Sequence, residues 1–275
     1  MTSVIFESGS QLETIDGAAF RNSGLSGSIT LPVSVTSIGL DVFRECSSLT
    51  SVNINELNQL ATINNYVFKL SGLNGSITLP ASVTRINKGA FESCSNLSGV
   101  NFASGSQLES IGDYVFKLSG LNIITLPASL TTIGSYAFWQ CSNLTTVRFD
   151  IGSQLPSIGT AVFGNSYLTV FIAPQYVLDA FNVEAGENKT VGGKSNVEVF
   201  LKSISIDVEE GMNLIGMHVT GTIGGENILS IHKYVTSTNT YVEIAKSNNN
   251  KYQIEKQKGY WVKTNSANPL IVTDI

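Results

Sequence analysis

Apolar residues recur in a fixed pattern through the first two-thirds of the chain. Phenylalanines stand at Phe20, Phe43, Phe68, Phe91, Phe116, Phe138 and Phe163, at intervals of 23, 25, 23, 25, 22 and 25. An isoleucine lies five residues before each (Ile15, Ile38, Ile63, Ile86, Ile111, Ile133, Ile158). A leucine lies five or six residues after each (Leu25, Leu49, Leu73, Leu97, Leu121, Leu144, Leu168). Self-similarity at such a period marks a stacked repeat architecture. A short alternating run follows each leucine, as in Ile29-Thr30-Leu31, Val52-Asn53-Ile54, Ile77-Thr78-Leu79 and Val100-Asn101-Phe102. Period-two alternation predicts a short strand with one apolar face turned inward. Pro32, Pro80 and Pro127 end three of these strands, because proline has no N–H to give to a ladder. The segment from isoleucine to phenylalanine predicts a second short strand or a turn.

Two flavours of coil alternate. One carries a cysteine three residues past the phenylalanine (Cys46, Cys94, Cys141); the other has serine there (Ser23, Ser71, Ser119, Ser166). The sequence unit is therefore a doublet of 47–48 residues and the structural unit one coil of 22–25. A coil this short cannot close its own core. Stacked neighbours bury the Ile, Phe and Leu columns continuously.

Composition sharpens this picture mainly by exclusion. Hydrophobic residues make up 42% of the 275, and charged residues 13%, about half the ~25% of ordinary soluble domains. Net charge is −5, so no basic footprint for nucleic acid exists. No run of about 18 apolar residues predicts a membrane-spanning helix. Cys46, Cys94 and Cys141 are equivalent positions two coils apart. With neighbouring strands about 4.8 Å apart, that puts them about 10 Å from one another. A disulfide needs Cα atoms within about 7 Å, so buried free thiols are expected. His218 and His232 fall in candidate strands and form no ligand cluster. The sequence has no phosphate-binding glycine loop, no nucleophile elbow and no converging pair of carboxylates. No catalytic, cofactor or metal site can be named, and an enzyme is not expected. Four sequons (Asn74, Asn96, Asn143, Asn188) matter only in a eukaryotic secretory pathway.

The residues between inward strand positions must point outward, and stacking aligns them in columns. These positions are Ser28/Thr30, Ser51/Asn53, Ser76/Thr78, Gly99/Asn101, Ile123/Thr125, Thr146/Arg148 and Phe171. The candidate partner-binding face is therefore Asn53, Asn101, Ile123, Thr125, Arg148 and Phe171, since arginine and aromatic side chains are the usual interface anchors. Phe171 has a second reading, in which it packs against a terminal cap. Tyr66, Tyr114, Tyr136 and Trp139 flank the phenylalanine column as a further candidate aromatic strip.

The string Ile133-Gly134…Phe138…Cys141…Leu144…Val147, repeated in register, resembles the BspA-like leucine-rich repeat over roughly residues 3–173. Asn64 and Asn87 depart from the pattern, standing where it usually has glycine. The resemblance implies a mainly β, right-handed leucine-rich-repeat solenoid of seven coils. It also implies a secreted or cell-surface adhesin that binds a protein partner. The segment 164–201 looks like the family's C-terminal cap, with Tyr176–Phe181 as a short covering helix. At the other end Val4–Leu12 matches Val100–Leu108, so Met1 falls inside a repeat. No signal peptide is visible, and a piece of a longer protein is expected.

Residues 203–275 change texture to alternating strands and polar turns, which predict a small all-β sandwich-like domain. Glu210–Gly216 and Lys258-Gly259-Tyr260-Trp261-Val262-Lys263 are similar to a Gly-Tyr-Trp-Val-Lys accessory domain, with Met212 where that pattern has tryptophan. The expected division is thus 1–180 solenoid, 181–202 cap and linker, and 203–275 β domain. Tyr260 and Trp261 are candidates for ligand stacking. The competing readings are a carbohydrate binder, on the Ser/Thr/Asn face or at Trp261, and a structural spacer. Ice binding is a remote further reading, because threonine recurs only every second coil.

Overall fold

The computed structural model describes residues 1–150, 155, 157–183 and 185–201, and beyond these the backbone of eight strands between 204 and 273. The chain divides into two compact units, Met1–Phe200 and Leu201–Ile275. In the first, seven coils each give a two-residue strand at the isoleucine and a longer strand after the leucine. In chain order these are β1 (Thr14–Ile15), β2 (Gly27–Thr30), β3 (Ser37–Ile38), β4 (Leu49–Asn53), β5 (Thr62–Ile63), β6 (Gly75–Leu79) and β7 (Arg85–Ile86). They continue as β8 (Leu97–Phe102), β9 (Ser110–Ile111), β10 (Ile123–Leu126), β11 (Thr132–Ile133), β12 (Thr146–Phe149), β13 (Ser157–Ile158) and β14 (Val170–Ala173). Residues 1–13 form no strand.

Odd and even strands build two parallel walls. The isoleucine wall pairs as β1–β3 and β5–β7–β9–β11–β13. The other wall, the strand face, pairs as β2–β4, β6–β8 and β10–β12–β14. Between them the three apolar columns are buried as the pattern predicts, with Phe43 to Phe163 fully enclosed. Neighbouring rings of the phenylalanine column stack 5.2–5.6 Å apart. Each of these spacings spans one coil, so ring stacking and strand pairing share one period.

The phenylalanine lies in a turn with its own ladder. Two residues before and two after it the backbone adopts positive φ in every coil, from Ala18 and Asn22 to Ala161 and Asn165. That geometry aims three N–H groups per coil at the next one. In the first coil Ala18, Phe20 and Asn22 donate to the carbonyls of Leu40, Val42 and Arg44, and the same trio repeats at all six junctions. The Pro-x-Ser turns add staples. Ser34, Ser82 and Ser129 each donate to two carbonyls of the preceding coil, Ser82 to Leu57 and Leu60 at 3.1 and 2.9 Å.

The C-terminal end is covered by α1 (Gln175–Ala180) and by a hairpin that the alternation did not reveal. Its strands are β15 (Gly186–Val191) and β16 (Lys194–Leu201), and β16 extends the face beyond β14. Phe181 stacks on Phe163 at 5.9 Å and so ends the ring column. At the hairpin tip the Gly192 carbonyl accepts from the Phe163 N–H at 2.8 Å, in the place of an eighth coil.

The second unit holds two four-stranded antiparallel sheets. Its strands are β17 (Ile204–Asp207), β18 (Gly211–Met217), β19 (Gly221–Gly224), β20 (Ile228–Val235), β21 (Thr240–Ile244), β22 (Lys251–Ile254), β23 (Lys258–Thr264) and β24 (Pro269–Thr273). They are ordered β17–β24–β19–β22 and β18–β23–β20–β21. Strand β19 is one the alternation did not mark.

Candidate functional site

The outward residues of the strand face form the expected columns. Ser28 and Thr30 lie beside Ser51 and Asn53, Ser76 and Thr78 beside Gly99 and Asn101, and Ile123 and Thr125 beside Thr146 and Arg148. Asn53 is exposed and donates through Nδ2 to Thr30 Oγ1 at 2.9 Å. Asn101, Thr125 and Arg148 are exposed, and Ile123 keeps 47% of its surface in contact with solvent. Thr146 is buried.

Phe171 is not on this face. It pairs with Val147, whereas Arg148 pairs with Ile172. The outward positions of the last coil are thus the second and fourth residues past Leu168, as they are past Leu144, and a shift of one residue puts a side chain on the other face. Phe171 is 0% exposed and packs with Phe149, Phe163 and Phe181 at ring distances of 5.5, 6.0 and 5.2 Å. The outward positions of β14 are Val170 and Ile172, both half-buried.

The face is not one continuous ladder, since β4 does not pair with β6, nor β8 with β10. A groove opens at each interruption. The larger, about 770 Å³, brings together Asn101, Ile123 and Thr125 with Ser76, Gly99 and the loop Ala103–Ser106. The smaller, about 270 Å³, contains Asn53, Asn55, Asn74 and Thr78. Ser76 lines both. Gly99 is the one glycine among these outward positions; a Cβ there would stand 2.5 Å from Ser76 Oγ. Column counting found the residues but not the grooves, whose only sequence signal is the longer run between strand and isoleucine in alternate coils.

The lining is almost wholly uncharged. Hydroxyls and amides supply hydrogen bonds, Ile123 supplies apolar area, and Asp150 stands at one rim. Arg148 enters none of the ion pairs among the described residues. Such a surface can recognise a partner by shape and neutral hydrogen bonds.

The aromatic strip has a different character. Tyr114 and Tyr136 stack face to face at 5.3 Å, and Trp139 meets Tyr136 edge-on at 5.3 Å. Arg44 and Lys69 lie over Tyr66, and Lys88 and Lys117 over Tyr114. Glu92 bridges Lys69 at 2.8 Å and Lys117 at 3.7 Å. Ring faces and charges are taken up within the strip, which fastens coil to coil.

The thiols are buried and free. Cys46, Cys94 and Cys141 donate to the carbonyls of Phe20, Phe68 and Phe116 at 2.9–3.0 Å. Each also meets the serine of the preceding coil at 3.3–3.5 Å. Burial pushes Cys94 up to about 12 and Cys141 up to about 11. Among the described residues no group of three or more His, Cys, Asp or Glu could hold a metal ion, and no helix is long and apolar enough to cross a membrane.

Tyr260 and Trp261 occupy the middle of β23, where Trp261 pairs with Leu214 and His232 and Tyr260 with Ile215 and Lys233. His218 lies outside the described residues.

The sequence matches the family described as BspA type leucine rich repeat region, in six copies over residues 1–76 and 61–181. No curated protein gives a match. Among solved structures, the chain is similar to the pneumococcal vaccine antigen PcpA (23% identity, 64% of this chain and 58% of that one, TM-score 0.46). It is also similar to a leucine rich cell surface protein of Faecalibacterium prausnitzii (20%, 62% and 61%, TM-score 0.41). A third is the T. pallidum leucine rich repeat protein (24%, 64% and 78%, TM-score 0.40). The chain spans 58% and 61% of the first two.

Proposed function

The chain belongs to the BspA-type leucine-rich-repeat family, and from that premise we propose that it is a non-enzymatic, secreted or cell-surface adhesion protein. It binds a protein partner through the strand face of its solenoid. The observation that carries this reading is the larger groove, which gathers Asn101, Ile123 and Thr125 beside the exposed Arg148. Asn53 extends the contact along the smaller groove. An exposed branched aliphatic flanked by an arginine, ringed by small polar residues, is the composition of a contact centre with a hydrated rim. A second reading, a neutral glycan, draws on the uncharged hydroxyl and amide lining of both grooves.

The reading extends to the division of the chain into solenoid (1–180), cap and linker (181–202) and a β domain (203–275). In it the last is a small sandwich of the Gly-Tyr-Trp-Val-Lys type, with Tyr260 and Trp261 as a ligand-stacking pair.

The test presents the full chain to purified extracellular-matrix and cell-surface proteins and, in parallel, to an array of neutral glycans. Ile123→Asp and Arg148→Glu are each expected to weaken a bound protein at least about tenfold. Gln140→Glu, on the turn side, leaves it unchanged. Binding that survives both strand-face substitutions sinks the site. Glycans alone retained would favour the second reading, and no binding at all a spacer.

A further inference from the structure

One junction of the solenoid differs from the other five, and Asn64 stands at it. After the column isoleucine the chain has Gly39, Gly112, Gly134 and Gly159, but Asn64 and Asn87 in the third and fourth coils. A Cβ at Gly39, Gly134 or Gly159 would stand 2.5 Å or less from the backbone of the preceding coil. Glycine is what allows so close an approach. Asn64 carries a Cβ at that point, over Gly39 of the second coil.

The hydrogen bonds register the difference. Elsewhere the N–H at this position donates to the preceding isoleucine carbonyl, as Gly39 to Ile15 and Asn87 to Ile63, both at 2.8 Å. Between coils 2 and 3 the Asn64 side chain takes over that bond, Nδ2 donating to Ile38 O at 2.8 Å. Here neither wall is paired: β3 does not join β5, and β4 does not join β6. At the junction of coils 4 and 5 the strand face is also open, but β7 and β9 hold the other wall together. The rings of Phe43 and Phe68 are 5.6 Å apart, the widest step between two coils. Between coils 2 and 3 the turn ladder is intact, with Asp41, Phe43 and Glu45 donating at 3.0, 2.8 and 2.8 Å, and two more backbone bonds, Gly72 to Cys46 and Asn74 to Thr50, cross the junction.

We propose that the junction of coils 2 and 3 is a hinge set by Asn64. The turn ladder is its knuckle, and the first two coils swing on it as a unit. The motion opens the strand face at the smaller groove, the one that contains Asn53. The hinge rests on backbone pairing and does not depend on the identity of any partner.

The sequence supplies an internal control. Ser-Gly-Leu-Asn occurs at 71–74, across the hinge, and again at 119–122, across the junction of coils 4 and 5. Gly72 and Gly120 each donate to a cysteine carbonyl at 3.1 Å. Asn74 donates to Thr50 at 2.9 Å and Asn122 to Ser98 at 3.1 Å. Static geometry therefore predicts equal or slower exchange at Gly72 and Asn74. The hinge predicts amide hydrogen exchange about tenfold faster there than at Gly120 and Asn122 in the intact chain, as local opening does. Asn64→Gly is expected to bring the two pairs together, and Asn64→Asp, isosteric but lacking the donor, to separate them further. Phe20 and Gly39, bonded inside the moving unit, stay slow throughout. Equal rates at the two tetrapeptides overturn the hinge. So does exchange of Phe20 and Gly39 as fast as Gly72, which is unravelling from the end.

Discussion

A thiol with two hydrogen-bond partners explains why the repeat alternates. Each cysteine of one flavour meets the serine of the other and a phenylalanine carbonyl, so the doublet in the sequence is a bonded pair of coils. The alternation itself was legible; the bond behind it was not, because it joins residues 22–26 apart. Phe171 shows the complementary failure. Its identity suggested an exposed anchor, but the outward pair of the last coil is Val170 and Ile172, two and four residues past Leu168 as after Leu144, and Phe171 takes the inward place of the second reading, against the cap ring Phe181. The buried thiols also carry a pH prediction. Burial favours the neutral form, so the folded pKa values of Cys94 and Cys141 lie above the ordinary 9.0. Their contribution is whole below about pH 9 and is lost as pH rises towards 11–12, where the unfolded chain has already released both protons. Over that window two such thiols lower stability by up to about 2.7 kcal/mol per pH unit. Urea denaturation at pH 8 and pH 10.5 should show a steeper loss in the native chain than in a Cys94→Ala/Cys141→Ala double variant. Equal losses would mean that these thiols are not held neutral by the fold.

Among the elements, the phenylalanine turn was the least predictable. Its two positive-φ positions are filled by Ala18, Asp41, Tyr66, Leu70, Gln140 and others, with Gly89 as the only glycine. Local propensity does not announce a left-handed turn at such residues. They are held there because stacking gains three inter-coil hydrogen bonds at each junction. The strain should then be recoverable. Leu118 has φ 59° and a partly exposed side chain. A left-handed L-residue costs about 1–2 kcal/mol and glycine's extra unfolded freedom about 0.5–1, so Leu118→Gly is expected to stabilise by roughly 0.5–1 kcal/mol in equilibrium unfolding. The hairpin gives the opposite sign. Gly192 has φ 51°, and a Cβ there would stand 2.7 Å from the Phe163 ring. Gly192→Ala is expected to cost about 1–3 kcal/mol, because it forces the cap off the turn ladder. A neutral Gly192→Ala would show that the hairpin does not cover the column end. The helix of the cap was readable from its apolar run, whereas the first hairpin strand, built of Gly, Glu, Asn, Lys and Thr, has no apolar alternation, and the second has only the short run Val197-Glu198-Val199.

Across the whole solenoid, most of the cations are segregated from the strand face. Of the seven Lys and Arg in residues 1–180, five (Arg21, Arg44, Lys69, Lys88, Lys117) take part in the ion pairs and cation–π contacts of the turn side. The strand face contributes Arg148. This separation was half legible: the outward columns could be counted as neutral, but the clustering of the cations appears only when the coils are stacked. It yields a test that needs no knowledge of the partner. Exposed charges more than about 8 Å apart are largely screened at physiological salt, and rim charges act mainly on association rate. A partner seated on the strand face engages Arg148 and the rim carboxylate Asp150, charges of opposite sign, so its affinity should change by less than about threefold between 50 and 300 mM salt. Arg148→Glu should weaken binding while leaving that salt response shallow. A loss of more than about tenfold over the same range requires several ion pairs and would move the contact off the strand face, within the solenoid to Tyr66, Tyr114 and their lysines.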